Sequence, residues 1–167
     1  MHCTNSGQLG EDLVAQWLQS TGWIILHRRF SSRWGEIDII AEYDGVTGET
    51  GEKGENFSLS TQHSLLAFVE VKTRSSGSWD AGGRSAITPQ KQAKISRTAG
   101  MFLAQYPDKA DYSCRFDVAI VYCQKISKNL TGVTTTQSAL ATSSVAGYKF
   151  KLQEYILAAF DSSIDNG

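Results

Sequence analysis

Two periodicities of apolar and polar positions divide the chain. Between residues 7 and 21, Leu9, Leu13, Val14, Trp17 and Leu18 recur at helical spacing and Gly22 stands in the usual stop position, which predicts a first helix. Trp23 to His27 is a short apolar run read as the first strand, and Arg28 to Trp34 as a basic, aromatic turn. Gly35-Glu36-Ile37-Asp38-Ile39-Ile40-Ala41 and Leu65 to Arg74 read as two further strands. Thr88-Pro89 then opens a second helix with an N-cap and a first-turn proline, with Ile95, Ala99, Phe102 and Leu103 as its buried stripe. Tyr106-Pro107-Asp108 ends it. Tyr112 to Tyr122 is a strongly apolar strand, Phe150 to Tyr155 alternates like an edge strand, and Ile156 to Phe160 reads as a short closing helix.

Two stretches carry no such pattern. Residues 43–64 repeat glycine among acidic and polar residues, and residues 124–147 are rich in Ser and Thr. Both are expected to be flexible insertions in a single domain spanning 1–167, the second as a loose hairpin. Arg74 to Ile87 is a Gly/Ser-rich loop holding Trp79 and Arg84. The order helix, three strands, helix, two strands predicts an α/β fold, a mixed β-sheet of about five strands flanked by helices.

Charge placement changes the picture. Glu70 and Lys72 sit inside an apolar strand, and alternation puts both on one face, opposite Val69 and Val71. Buried charge is costly unless it is paired or binds a metal. Glu36 and Asp38 likewise share a face, opposite Ile37 and Ile39. If the two strands pair, Asp38 approaches Glu70 and Lys72. Two carboxylates beside an ammonium suit an oxygen-loving cation such as Mg²⁺, with water and phosphate completing its shell. The alternative reading is a plain Glu70–Lys72 ion pair.

The net charge is −1, so the chain as a whole is no basic nucleic-acid binder. The cations are unevenly spread, however. Arg28, Arg29 and Arg33 precede the Asp38 strand, and Lys72, Arg74, Arg84, Lys91, Lys94 and Arg97 follow Glu70 with only Asp80 against them. That is the footprint of a phosphate backbone, or an ordinary solvated face. Cys3, Cys114 and Cys123 form no CxxC pair, so no zinc site or disulfide framework is expected, and the latter two read as small buried residues. His27 reads as a strand-end surface residue and His63 as a loop residue. Arg115 and Asp117 share a face and read as a structural pair. Trp34 could stack on a base or simply pack. No apolar run approaches the ~20 residues of a membrane span. Nor is a secretory signal seen, so a cytoplasmic location is expected.

The motifs Gly35-Glu36-Ile37-Asp38-Ile39-Ile40 and Phe68-Val69-Glu70-Val71-Lys72-Thr73-Arg74, with Gly10-Glu11, Gly22-Trp23, Gln90-Lys91 and Arg115-Phe116-Asp117-Val118 in order, resemble the YraN or UPF0102 family. Their D…ExK core is similar to that of the PD-(D/E)xK nucleases, with archaeal Holliday-junction resolvases as relatives in fold. The resemblance spans roughly residues 5–123 and resumes near 150–160. It implies a restriction-endonuclease-like fold and a Mg²⁺- or Mn²⁺-dependent DNA endonuclease, acting on branched or flapped DNA as a homodimer. Asp38, Glu70 and Glu11 would be metal ligands, Lys72 would orient water, Gln90 would touch phosphate or water, and Arg33, Arg74, Arg84, Lys91 and Lys94 would contact nucleic acid. For Glu11 a place in the helix dipole, and for Gln90 a plain exposed position, are equally good readings. The alternative functions are a nucleic-acid-binding module of the same fold with little catalysis, and an interaction scaffold in which the insertions are the surface.

Overall fold

The computed structural model describes residues 5–45, 64–75, 87–127 and 138–161. Helix α1 (Ser6–Ser20) is followed by β1 (Ile24–Ser32), β2 (Gly35–Asp44), β3 (Ser64–Ser75), α2 (Pro89–Gln105), a 3₁₀ turn at Pro107–Lys109, β4 (Ser113–Lys125), β5 (Ala141–Val145) and β6 (Tyr148–Phe160). One six-stranded sheet runs β1-β2-β3-β4-β6-β5. β3 and β4 are parallel, joined through α2, and the other neighbours are antiparallel. A mixed sheet flanked by two helices is consistent with a restriction-endonuclease-like α/β fold. No helix among the described residues is long and apolar enough to cross a membrane.

The central strands are apolar on both faces because both faces are covered. Ala67, Val69, Ala119 and Val121 meet Leu13, Val14 and Leu18 of α1 on one side. Leu66, Phe68, Phe116, Val118 and Ile120 meet Ile95, Ala99 and Phe102 of α2 on the other. The Thr88 hydroxyl accepts from the Lys91 N–H at 3.2 Å, capping α2 where Thr-Pro predicts its start. Gly22, at φ +95, turns the chain out of α1 against the Tyr43 ring.

Four expectations need correction. β1 does not stop at His27. It pairs with β2 as far as Ser32↔Gly35, so only Arg33 and Trp34 are left as the turn. The last segment is no helix: Ile156–Phe160 continues β6 along β4. Five residues make a poor free-standing helix, whereas the β4 edge offers a ladder. The bend in that ladder is held by Asp117, whose carboxylate accepts from the Ala158 N–H at 3.0 Å, with Ala158 at φ +48. Within 124–147 lies a real strand, β5, paired to β6, which brings the sheet to six strands. Cys123 is buried but Cys114 is exposed, because burial of β4 begins only at Phe116. His63, Trp79 and most of the first expected insertion lie outside the described residues.

Candidate active site

The site forms where β2 and β3 part. Their ladder ends at Ile39↔Val69. One residue further along β2, Asp38 replaces the ladder bond with its side chain: Oδ2 accepts from the Val71 N–H at 2.7 Å. A strand residue's N–H and C=O leave from the same edge, so the Val71 carbonyl is directed to this gap as well. On the other flank, β1 departs from regular strand geometry opposite Asp38, with Arg29 at φ +54. A non-glycine residue held there is strained, and such positions gather at functional sites.

Glu70 projects from β3 on the α2 side, its side chain only 6% exposed. Its Oε1 pairs with Lys91 Nζ of α2 at 2.8 Å and with Lys72 Nζ at 3.6 Å. Both lysines keep more solvent contact than Glu70, Lys72 at 31% and Lys91 at 41% exposed. Burial first, and the charge of Glu70 second, push the Asp38 carboxyl up to about 7, against the opposing pull of the Val71 N–H. Burial alone would lower Lys91, but its bond to Glu70 and the Glu70 charge carry it above the ordinary lysine value. The gap thus sets two carboxylates against two lysines that both pair with Glu70, which leaves the half-buried Asp38 carboxylate the less well supported of the two charges.

Glu11 lies buried on α1 but faces a different partner. Arg29 grips it in a fork, Nε to Oε2 at 2.8 Å and Nη2 to Oε1 at 3.3 Å. Arg28 stands 3.9 Å away and bonds Asp12 at 2.8 Å. The helix comes this close to β3 because residue 10 is glycine: a Cβ there would overlap the Thr73 hydroxyl. Glu11 remains near enough to add a smaller upward push on Asp38. Gln90 is exposed in the first turn of α2 and makes no hydrogen bond among the described residues.

The remaining candidates divide by location. Arg33 and Arg97 both lie over the Trp34 ring, their guanidinium carbons 4.7 and 4.6 Å from its centroid. Lys94 is exposed beside Gly35, and Arg74 lies two residues beyond Lys72 on the same face of β3. Arg84 lies outside the described residues. Arg115 forks onto fully buried Asp117 at 2.8 and 2.9 Å, and Tyr155 Oη donates to it at 2.8 Å, as a structural pair would. His27 is not a surface residue: it packs among Phe30, Phe102 and Tyr106 and hydrogen-bonds the Tyr106 hydroxyl at 3.0 Å. Two participants escape a reading of the sequence. Arg29 as the partner of Glu11 has no local signal. Lys91 reads as a phosphate contact, and only its place one turn inside α2 hints that it faces the sheet.

Among the described residues, no three His, Cys, Asp or Glu side chains gather as a metal-ligand cluster. What converges is a pair, Asp38 and Glu70. A pair suits Mg²⁺, which commonly takes one or two carboxylates and keeps water or phosphate for the rest of its shell. The raised Asp38 carboxyl is compatible with that fit, because a divalent cation would offset the burial and, after it, the Glu70 charge that raise it.

The structure therefore defines a mixed α/β domain with an acidic pair and two lysines at the divergence of two strands. Residues 10–121 match the family described as "Uncharacterised protein family UPF0102", and the chain belongs to that family. It is 60% identical to a UPF0102 protein of Trichormus variabilis over 161 residues, 96% of this chain and 97% of the relative. It is 58% identical to one of Nostoc sp., over 96% of each. A UPF0102 protein of Synechocystis sp. is 40% identical over 94% of this chain and 98% of its own length.

Proposed function

We propose that the protein is a metal-dependent DNA endonuclease of the PD-(D/E)xK type, working in the cytoplasm. The observation that carries this reading is the convergence of Asp38 on the Glu70–Lys72 strand, at the point where the Val71 backbone also opens. Asp38 and Glu70 would hold Mg²⁺ or Mn²⁺; when bound, the ion supplies Lewis acidity and a water of lowered pKa. Lys91 fixes the orientation of Glu70. Lys72, loosely paired and partly exposed, is placed to orient an attacking water and to offset charge on the phosphate. Glu11 holds Arg29 at the rim, so the guanidinium can meet a phosphate oxygen. Gln90, Arg33, Arg74 and Lys94 offer further contacts, and Arg84 follows Arg74 in the chain. A branched or flapped substrate and a two-fold dimer belong to the same proposal.

One observation favours a second reading, a binding module with little catalysis. Glu11 and Glu70 already have close cationic partners, at 2.8 Å each. The experiment that separates the two is cleavage of labelled duplex, single-stranded, flapped and four-way-junction DNA with Mg²⁺ or Mn²⁺. Metal-dependent cleavage that disappears in Asp38→Ala and in Lys72→Ala is expected. Folded protein that binds these DNAs but cuts none of them would leave only the binding module.

A further inference from the structure

We infer that the β1–β2 turn and the middle of α2 form a rigid phosphate-backbone track, built from Arg33, Lys94 and Arg97 on a Trp34 support, which holds nucleic acid beside the Asp38–Glu70 gap. The nuclease reading supplies the reason for a polyanion at this place. The track itself rests on separate observations.

The first observation is charge without partners. Arg33, Lys94 and Arg97 make no ion pair among the described residues, whereas Arg28, Arg29, Lys72, Lys91, Lys109 and Arg115 all have one. The nearest acid in the same hairpin, Glu36, accepts from Ser31 at 2.9 Å. Three unpaired cations at one corner of a chain whose net charge is −1 repel one another unless something anionic is brought to them.

The second observation is preorganisation. The two arginines do not trail into solvent, since both guanidiniums lie over the Trp34 ring. The turn that carries the ring is tied down. The backbone N–H of Trp34 donates to Ser32 Oγ at 3.0 Å, the Ser32 and Thr98 hydroxyls are 2.8 Å apart, and Thr98 donates to the Lys94 carbonyl at 2.9 Å. Thr98 is fully buried, so this chain of hydrogen bonds ties the turn to the helix from inside. A guanidinium held against a ring has less freedom to lose on meeting a phosphate. Trp34 is thereby a support for two cations.

The third observation is spacing. Lys91, the Glu70 partner, begins a row that continues through Lys94 to Arg97 on successive turns of α2. At 1.5 Å per residue the row is about 9 Å long, between two and three nucleotide steps at about 3.4 Å of rise each. Its first member sits at the acidic pair, so a strand following the row has one phosphate at the gap and its neighbours on the track. Contacts of this kind are indifferent to base identity.

The test is equilibrium binding of a labelled 30-base-pair duplex and a labelled single strand, by fluorescence anisotropy in EDTA, across a series of KCl concentrations. Proteins compared are the wild type, Arg33→Gln/Lys94→Gln/Arg97→Gln, Trp34→Leu, and a control, Lys149→Gln/Lys151→Gln, on β6. Each phosphate contact contributes about 0.9 to the slope of log affinity against log salt for duplex and about 0.7 for single strand. The triple variant is expected to lose about 2 to 3 from the duplex slope and at least tenfold in affinity near 0.1 M salt, with the control unchanged. Trp34→Leu, which keeps every charge, is expected to bind several-fold more weakly with little change in slope. An unaltered slope in the triple variant, an equal loss in the control, or no binding by the wild type overturns the track. Slope loss without cleavage under any metal would keep the track and remove the nuclease; cleavage with an intact slope would do the reverse.

Discussion

Asp38→Asn is expected to stabilise the protein in the absence of divalent metal, by an amount that grows as pH rises from about 4 to 7 and then levels off. Asn has nearly the shape of the carboxyl and can still accept from the Val71 N–H at Asp38's place. It carries no charge to meet Glu70. In the folded wild type the carboxyl titrates near 7, against an ordinary 3.8 in the unfolded chain, with burial the first cause and Glu70 the second. Folding therefore takes up a proton between about pH 4 and 7. The stability associated with this group is fully present below its unfolded pKa and is lost as pH rises through its folded one. A rise of that size corresponds to roughly 4 kcal/mol at its upper limit. Partial solvent contact screens Asp38, so a gain of about 2 kcal/mol at pH 8 is expected for the variant, or about 4–8 °C in melting temperature. At pH 5 the gain should fall to less than half of that, and near pH 3, below the unfolded pKa, it should be close to zero. The assay is urea unfolding with EDTA at each pH, repeated with Mg²⁺. Metal at a hundredfold over its dissociation constant should return about 2.7 kcal/mol to the wild type and little to the variant. A variant no more stable than wild type at pH 8, or one whose advantage is the same at pH 5, would refute the reasoning.

Lys91→Met removes the close partner of Glu70 and a charge that draws Asp38 downward. The Asp38 midpoint, followed by carboxyl ¹³C NMR, should rise above its wild-type value of about 7, and an unmoved midpoint would take Lys91 out of the charge balance. Gly10→Ala should cost about 1–3 kcal/mol in urea unfolding, because the new methyl meets the Thr73 side chain at the α1–β3 contact. Thr73→Ala should recover most of that loss and be nearly neutral alone, since the Thr73 hydroxyl is buried with no hydrogen-bond partner among the described residues. Failure of the second change to rescue the first would show that the overlap is relieved elsewhere.

Much of the architecture is legible because buried strands and capped helices carry local signals. Leu66 to Val69 alternate between two helices, so the run is apolar throughout, and Glu70 stands out against it. Thr88-Pro89 announces α2 by the bond it makes. The approach of Asp38 to the Glu70 strand follows from antiparallel pairing of adjacent segments. What cannot be read depends on contacts between distant residues. Arg29 reaches Glu11 across 18 positions from a left-handed backbone that arginine rarely adopts, and nothing local foretells it. Lys91 meets Glu70 because α2 crosses over the sheet at that height. His27 looks like a strand end until Phe30 and Phe102 close around it. Ile156 to Phe160 has a weak preference that the β4 edge overrides.

The β2–β3 ladder separates two kinds of change. Its far end is Asp44↔Ser64, six residues along β2 from Asp38, or about 20 Å at strand spacing. The chain leaves and re-enters the sheet there, so residues can be gained or lost between the strands at little thermodynamic expense and without shifting the acidic pair. That end is a natural handle for a fluorophore, an affinity tag or a fused domain. Ser75, the last residue of β3, lies instead at the end that carries Lys72 and Arg74. Variation in length and variation in chemistry are thus kept at opposite ends of a single hairpin.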